Sequence, residues 1–337
     1  MDPFAAYLIT RAEGVTNAGF VSFDPSQLDP GEVVLRVAYA SINFKDALAA
    51  TGKGPIIRRF PCIGGIDATG IVEHSDSPRF QPGDRVIVHS HGFGVSHHGG
   101  YAAYARVPAA WVNRIPAGMD LLEAVTIGVA GYTAALAVEL MELNGLAPSR
   151  GKVIVNGASG GVASVAIDIL SQRGYTVVAA TRKMHERDYL LGLGAAEVVD
   201  SSQLVVGQRP LESATWQGAV DSLGGEALAG LTRTMQRDGV IASLGNAMDI
   251  AFSTTVMPFI LRGVRLIGVN SDNEPAQREH LWQRLGSDLR PRKLDRIAQV
   301  HAFEELPTLM QEVVGGRIKG RTVVAIAPEI AAHRTAP

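Results

Sequence analysis

A glycine-rich turn between a buried strand and a helix constrains the fold of this chain more than any other segment. The run Lys152–Asn156 (KVIVN) is typical of a buried strand, and glycines follow at positions 157, 160 and 161. Gly157 permits a tight turn, Gly160 lets the backbone approach a pyrophosphate, and Gly161 opens a helix predicted over residues 161–173. The spacing is G-x-x-G-G-x-A rather than the stricter G-x-G-x-x-G. The turn therefore predicts a dinucleotide site, with a ligand-free glycine turn as the alternative.

Strands and helices alternate after this turn, with short loops between them. The predicted strands are Thr176–Ala180, Glu197–Val199, Ala219–Asp221, Val240–Leu244 and Arg265–Val269, and the predicted helices are Asp188–Leu193 and Glu226–Met235. Such alternation is typical of a parallel sheet covered by helices on both faces. We therefore predict the α/β fold class, with a Rossmann doubly wound parallel sheet as one domain.

Short β segments separated by glycine and proline come before the turn. They are Val33–Ala40, Ile71–Glu73, Arg85–His89 and Tyr101–Val107, followed by a long helix over Leu122–Met141. After Arg296 the chain returns to strand, helix and strand, over residues 297–301, 303–314 and 322–326. Because 337 residues exceed the usual size of a single core, we expect two domains. Residues 1–122 and 296–337 would form a mostly β domain, and residues 123–295 the dinucleotide-binding domain.

The strand after the turn indicates which dinucleotide binds. An NAD site usually has an acidic residue at the end of this strand, where it accepts hydrogen bonds from the ribose hydroxyls. This chain has Thr181, Arg182 and Lys183 there. Two cations and a hydroxyl suit a 2′-phosphate, and each charge-assisted contact contributes about 1.5–3 kcal/mol. The segment predicts NADPH, although two solvated surface cations remain the alternative.

Charge and cysteine content narrow the class of protein. With 31 basic and 33 acidic residues the net charge is −2, so no global field favours nucleic acid or an anionic membrane. The one cysteine, Cys62, fits a reducing compartment. The start has no basic segment before an apolar run, and no apolar run reaches the roughly 18–20 residues of a membrane span. We expect a cytoplasmic protein.

Several further motifs resemble one known family. They are Ser41–Asp46 (SINFKD), Thr51–Gly54 (TGKG), Gly64–Gly70 (GGIDATG), Thr254–Arg262 (TTVMPFILR), Gly268–Ser271 (GVNS) and Gly320–Thr322 (GRT). Together with the glycine turn they resemble the medium-chain dehydrogenase/reductase superfamily, and more narrowly its acryloyl-CoA reductase branch, the quinone oxidoreductases of the YhdH/YhfP type. The resemblance covers about residues 4–327. It implies a GroES-like, mostly β catalytic domain and a homodimer formed through Arg265–Val269 and its neighbours.

The zinc alcohol dehydrogenases of this superfamily differ at the metal site. They have a cysteine where Asn43 stands and a His-Glu pair where Ile66 and Asp67 stand. Asn and Ile cannot supply the thiolate and imidazole that catalytic zinc requires, so we predict no metal. Reduction of an activated C=C bond or a quinone needs none, because the substrate itself accommodates negative charge.

Four histidines close together in a glycine-rich loop leave a second interpretation open. His89, His91, His97 and His98 could be imagined as metal ligands, although a polar lid or pocket rim is the plainer interpretation.

The resemblance also implies roles for particular residues. It places Asn43, Lys45 and Asp46 near the nicotinamide, with Asn43 as a donor to ribose or substrate. Asp46 would orient a neighbour or relay a proton, with helix capping or a structural salt bridge as the alternative. Related quinone reductases often have a tyrosine where this chain has Leu48, so the proton donor stays unassigned.

Residues expected to contact the cofactor carry over position by position. They are Phe44, Thr133, Ser159, Gly160, Gly161, Val162, Thr181, Arg182, Lys183, Asn246, Ser271 and Arg321. The family's basic residue in SLGA-x-R is replaced here by Glu197, which leaves more of the phosphate binding to Arg182 and Lys183.

Three functions compete on these residues. The first is NADPH-dependent, metal-independent reduction of the C=C bond of a short enoyl-CoA such as acryloyl-CoA. The cationic segment with Lys53, Arg58 and Arg59 favours it, unless these are ordinary solvated charges. The second is NADPH-dependent quinone reduction on the same scaffold. The third is a non-catalytic NADPH-binding protein, which the intact SINFKD segment disfavours.

Overall fold

The computed structural model describes residues 2–204, 207 and 209–332. The chain divides into two compact units. The first comprises residues 1–129, 272–287 and 298–337, and the second comprises residues 130–271 and 288–297. Strands and helices are numbered along the chain.

Two β-sheets form the frame of the first unit. Its strands are β1 (Phe4–Ala12), β2 (Val15–Phe23), β3 (Val33–Ile42), β4 (Cys62–Ile63), β5 (Asp67–Ser75), β6 (Arg85–His89), β7 (Tyr104–Val107), β8 (Val112–Arg114), β15 (Ala298–Ala302) and β16 (Arg321–Ala325). A seven-stranded sheet has the order β15–β16–β3–β5–β6–β8, with β7 paired to β3, and a three-stranded sheet has the order β2–β1–β4. Glu13 and Gly14 connect β1 to β2 with positive φ angles of 50° and 82°, which suit a two-residue hairpin turn.

Helices α1 (Phe44–Ala50), α7 (Pro275–Leu285) and α9 (Leu306–Val314) belong to the first unit. Helix α1 begins directly after β3, and its N-terminus is fixed because the Asp46 carboxylate accepts the backbone N–H of Asn43 at 2.9 Å. The position of Asn43 and its neighbours therefore follows from the end of one central strand.

A six-stranded parallel sheet forms the second unit, as predicted. Its strands are β9 (Val153–Asn156), β10 (Val177–Thr181), β11 (Glu197–Asp200), β12 (Trp216–Asp221), β13 (Met235–Ser243) and β14 (Arg265–Gly268), in the order β11–β10–β9–β12–β13–β14. Its helices are α3 (Gly161–Gln172), α4 (Arg187–Gly192), α5 (Gly225–Thr234), α6 (Met257–Arg262) and α8 (Leu294–Ile297). The strand order reverses at β9, directly before the glycine turn, which is where open α/β sheets bind ligands.

Helix α2 (Leu121–Leu143) begins in the first unit and ends in the second. Its 23 residues have a mean hydropathy of 1.7, so by length and composition the helix could cross a membrane. No apolar run of that length was predicted from the sequence. However, 83% of this apolar window is buried inside the protein, as in the core helix of a folded domain.

The division into units differs from the predicted one at helix α7. The prediction assigned residues 123–295 to one domain, whereas residues 272–287 lie in the first unit. The reason is a buried contact with β6: Trp282 Nε1 donates to His89 Nε2 at 3.1 Å, and Arg278 Nη2 donates to the His89 carbonyl at 2.9 Å. Helix α7 is mostly polar, and one of the side chains that it buries is the charged Arg278. Its sequence therefore lacks the apolar periodicity that would predict packing against β6.

Candidate functional site

The glycine turn lies at the carboxyl end of β9, in the second unit. Gly157 has a φ of +59°, a conformation that glycine adopts without strain. Gly160 is the N-cap residue of α3, and no side chain caps this helix. The first N–H groups of α3 are therefore available to an anion, which the positive end of the helix dipole also favours.

The end of β10 lies beside this turn, because β9 and β10 are neighbouring parallel strands. The Ala158 N–H donates to the Ala180 carbonyl at 3.1 Å and ties the turn to that strand. The buried Thr181 hydroxyl then accepts the Lys183 N–H at 3.0 Å. Arg182 is exposed and makes no hydrogen bond or ion pair with any described residue. An unpaired cation beside an uncapped helix N-terminus suits a phosphorylated ribose.

On the side of the turn away from β10, a buried pair of polar residues links the end of β9 to the end of β12. Asn156 Nδ2 donates to Asp221 Oδ1 at 2.5 Å, and Asn156 Oδ1 accepts the Ser222 N–H at 2.7 Å. Burial raises the pKa of Asp221, while its hydrogen bonds oppose that rise. Neither Asn156 nor Asp221 was predicted to do more than end a strand.

The structure brings most of the predicted cofactor residues to one edge of the sheet in the second unit. At or just beyond the carboxyl ends of β9, β10, β13 and β14 are Ser159, Gly160, Gly161, Val162, Thr181, Arg182, Lys183, Asn246 and Ser271. Thr133 lies on α2 and is 8% exposed. The four other predicted residues, Asn43, Phe44, Asp46 and Arg321, lie in the first unit.

Asp67, at the start of β5, is the centre of a buried polar network in the first unit. Its carboxylate accepts the Ser41 N–H at 3.1 Å, the Asn43 side-chain amide at 3.1 Å and the Val129 N–H at 3.0 Å. The Ser41 hydroxyl donates to it as well, and Arg321 Nη2 lies 3.4 Å away. A charge with no exposed surface is stable only when it is paired and hydrogen-bonded, and Asp67 meets both conditions.

Arg321 supplies the positive charge of this network. It is 3% exposed, and each guanidinium nitrogen has a protein partner. Nη1 donates to Asn43 Oδ1 at 2.8 Å, Nε donates to the Thr126 carbonyl at 3.0 Å, and Nη2 donates to the Ser41 hydroxyl. Burial lowers the pKa of Arg321, and the charge of Asp67 opposes that shift. The guanidinium therefore contacts both Asn43 and Asp67.

Asp46 is the second buried carboxylate of the first unit, with 2% exposure. It accepts the backbone N–H groups of Asn43 at 2.9 Å and Ile66 at 3.0 Å. Desolvation, followed by repulsion from Asp67, raises the pKa of Asp46 to about 7. These bonds fix the start of α1 relative to the segment before β5, which is the capping role that the sequence analysis held open.

Gly128 makes room for the network where α2 is kinked. Its φ of 49° and ψ of −156° are non-helical, which turns the Val129 N–H toward Asp67. A Cβ at Gly128 would overlap the Asp67 carboxylate and lie 2.7 Å from Arg321 Nη2. Ser41, Asp67 and Gly128 were not predicted as site residues, although a charged residue within the apolar run GGIDATG was a usable signal.

Two residues beside the network face outward. Phe44 is 45% exposed, and Lys45 is exposed and unpaired among the described residues. They follow Asn43, which at 9% exposure is the most accessible of the polar side chains that contact Asp67.

The four histidines are engaged in separate contacts. His89 accepts from Trp282, and His98 Nδ1 accepts the Ile63 N–H at 3.0 Å. His91 Nδ1 lies 2.9 Å from Asp272, and His97 Nδ1 lies 3.1 Å from the His98 carbonyl. Among residues 2–204, 207 and 209–332, no group of three or more His, Cys, Asp or Glu side chains is arranged to hold a metal ion.

Two family models match the chain. Residues 29–117 match the alcohol dehydrogenase GroES-like domain, and residues 161–287 match the zinc-binding dehydrogenase family. These ranges lie on the mostly β region and on the segment that begins at helix α3.

Several proteins of known name are similar to this chain over nearly its whole length. The chain is 38% identical to acrylyl-CoA reductase AcuI of Ruegeria pomeroyi, over 96% of this chain and 99% of that protein. It is 43% identical to quinone oxidoreductase YhfP of Bacillus subtilis, over 87% of this chain and 90% of that protein. The crystal structure of the yhdH oxidoreductase of Salmonella enterica in complex with NADP superposes with a TM-score of 0.93, at 40% identity, covering 96% of this chain and 99% of that one. The chain belongs to the YhdH/YhfP branch of the medium-chain dehydrogenase/reductase superfamily.

Proposed function

We propose that this chain is an NADPH-dependent reductase of the C=C bond of a short enoyl-CoA such as acryloyl-CoA. The observation that carries the proposal is the full-length similarity to AcuI. The glycine turn before α3 and the exposed Arg182 after β10 agree with it. In the net reaction a hydride adds to the β-carbon and a proton to the α-carbon, giving a saturated thioester and NADP⁺.

The residues of the second unit fit NADPH. The uncapped N-terminus of α3 suits a pyrophosphate, and Gly160 would have only the Gly157 carbonyl oxygen, at 3.2 Å, near a Cβ. Exposed Arg182, with Lys183 next to it, suits the 2′-phosphate. The S. enterica relative was crystallised with NADP, whereas B. subtilis yhfP, at 40% identity and a TM-score of 0.94, was crystallised with NAD. We favour NADPH because this chain has two cations and no carboxylate at residues 181–183.

The chain's own residues have two tasks in this reaction, for which bound NADPH supplies the hydride. As the hydride reaches the β-carbon, negative charge develops on the thioester oxygen, and preorganised donors or cations stabilise it. We propose that Asn43 contacts the ligand and that exposed Lys45 adds positive charge beside it. Asp46 is a positioning residue, because its hydrogen bonds to Asn43 and Ile66 hold this turn in place. The proton added to the α-carbon comes from water in this proposal.

The assay follows NADPH absorbance with acryloyl-CoA, crotonyl-CoA and a benzoquinone in parallel. We expect the highest kcat/KM with acryloyl-CoA. A higher kcat/KM with the benzoquinone would favour quinone reduction, the activity for which YhfP is named. No turnover of any of the three substrates would favour a non-catalytic NADPH-binding protein.

The cofactor choice has its own test. Replacing Arg182 and Lys183 with Ala is expected to raise KM for NADPH at least tenfold, because charge-assisted contacts to the 2′-phosphate are lost, while KM for NADH changes little. Equal losses for both cofactors would mean that the 2′-phosphate binds elsewhere. Arg237→Ala, which removes an 88% exposed cation of the second unit, is the matched control.

We further propose a cytoplasmic homodimer that uses no metal and binds neither nucleic acid nor membranes. The single cysteine and the net charge of −2 support the location and the absence of these partners. Strand β14 is an edge strand of the parallel sheet, and helix α6 before it exposes 67% of Ile260 and 56% of Leu261. An open edge beside exposed apolar side chains supports pairing with a second copy of the chain.

A further inference from the structure

The cationic segment Lys53–Arg59 separates into two different environments in the folded chain. Arg59 Nη1 and Nη2 donate to the two carboxylate oxygens of Asp29 at 2.6 and 2.5 Å. This bidentate pair neutralises Arg59, so it is not free to bind a further anion. Lys53 is exposed and, among the described residues, has no hydrogen bond or ion pair from its side chain. The prediction of a single cationic patch is therefore too coarse.

Lys53 lines a cavity of about 500 Å³ in the first unit, together with Arg11 from β1. Among the described residues, Arg11 donates only to the Gly14 carbonyl, at 3.4 Å, and its guanidinium lies 6.0 Å from the Phe60 ring centre. In the part of the chain that the structure describes, no aspartate or glutamate lines the cavity, and the neighbouring Glu13 is not part of its wall. Two cations thus share one cavity without a compensating carboxylate, which favours a ligand that carries several negative charges.

The cavity lies at the C-terminal end of α1, whose carbonyl groups would otherwise repel an anion. Three of the last four carbonyls of α1 already accept hydrogen bonds: Thr51 N–H and Oγ1 donate to Ala47, Gly52 N–H donates to Ala49, and Lys53 N–H donates to Leu48. The wall nearby is formed by glycines 14, 52 and 54, which leave the backbone accessible.

Helix α1 also sets the distance between this cavity and the proposed substrate contact. Asn43 precedes the helix and Thr51 follows it, with seven helical residues between them. At 1.5 Å per residue the separation is roughly 10 Å. In a CoA thioester the pantetheine arm separates the reacting acyl group from three phosphates, and an extended arm can cover this distance.

We infer that the cavity between Arg11 and Lys53 binds the phosphate groups of the CoA moiety of the substrate. This inference rests on the proposed function and adds the place where the non-reacting end of the substrate is held. Binding energy at this end would lower KM for the CoA ester without changing the hydride step.

The test compares acryloyl-CoA with acryloyl-pantetheine, which lacks the phosphates, in wild type and in the double variant Arg11→Gln, Lys53→Gln. We expect KM for acryloyl-CoA to rise at least tenfold in the variant, because two charge-assisted contacts are removed. KM for acryloyl-pantetheine, KM for NADPH and kcat are expected to stay unchanged. Arg36→Gln, which removes a partly exposed cation of the same unit outside the cavity wall, is the control and should behave as wild type.

An equal rise in KM for both thioesters, or no rise for either, would overturn the inference. A rise in KM for NADPH would also overturn it, by assigning the cavity to the dinucleotide. If wild type reduces neither thioester, the proposed function fails, and calorimetric titration with CoA decides on the cavity. Weaker CoA binding by the double variant then supports the inference, and equal binding rejects it. Melting curves verify that both variants are folded.

Discussion

Asp46 and Arg321 show how burial changes what a charged side chain does in this protein. Both were predicted to act on ligands, and both are almost fully buried, where their polar atoms bind protein partners. Arg321 begins strand β16, whereas Arg182, which directly follows strand β10, is exposed and unpaired among the described residues. The sequence alone could not distinguish these cases, because burial of an arginine depends on a carboxylate that is distant in the chain, here Asp67.

The raised pKa of Asp46 predicts a pH-dependent stability. Its folded-state pKa of about 7 lies above the unfolded value near 3.9, so the folded state binds more protons between these pH values. The stabilisation is complete below about pH 4 and is lost as pH rises through 7. We therefore expect the free energy of unfolding of wild type, minus that of Asp46→Asn, to fall by about 1.4 kcal/mol per pH unit between pH 5 and pH 7, and to level off above pH 7.

Urea denaturation at pH 5, 6, 7 and 8 measures this difference. Glu304→Gln, which removes an exposed carboxylate of the same unit, is the control variant. A difference for Asp46→Asn that is constant, or that grows with pH, would contradict the raised pKa.

At the level of elements, the kink in α2 joins a helix to the buried network. The prediction of a long helix over Leu122–Met141 was correct in extent, and it contained no sign of the non-helical Gly128. A glycine within a helical pattern is compatible with a straight helix. The reason for glycine at position 128 is its close approach to Asp67 and Arg321, which the sequence does not show.

Gly128→Ala is expected to destabilise the chain by at least 2 kcal/mol. A side chain there would be strained by about 1–3 kcal/mol at this φ and ψ, and its Cβ would displace Asp67 from Arg321. Chemical denaturation measures the loss. Gly19→Ala on β2 is the control, because a Cβ at Gly19 meets no atom within 4 Å and should change stability by less than about 0.5 kcal/mol. A loss for Gly128→Ala no greater than that for the control would mean that the kink does not depend on glycine.

Other elements differ in how readily their sequences reveal them. The strands of the parallel sheet were predicted because they are buried on both faces and read as apolar runs, as VIVN in β9 and VVAAT in β10 do. Helices α1 and α7 were missed. The first has only seven residues, and the second has a polar sequence attached by Arg278 and Trp282 to β6. Strand β13 begins at Met235, where a helix end was predicted, because Met235 pairs with Trp216 of β12.

At the level of the whole molecule, the proposed homodimer can be tested through α6. Ile260→Glu with Leu261→Glu is expected to shift the protein toward monomer in sedimentation velocity, because both side chains are more than half exposed beside the edge strand β14. Leu143→Glu, at a residue that is 76% exposed at the end of α2, is the matched control and should leave the oligomeric state unchanged. Identical sedimentation of the α6 variant and wild type would exclude this surface as the contact.

The buried Arg321 beside Asn43 and Asp67 differs from a metal ion in how its positive charge reaches the protein. A metal ion must be acquired, can be withdrawn by a competing chelator and can be exchanged for the wrong ion. A guanidinium that is part of the polypeptide arrives with translation in a fixed one-to-one ratio and keeps its charge at every physiological pH. The chain itself therefore supplies the positive charge that holds Asn43 and Asp67 in every molecule that is made.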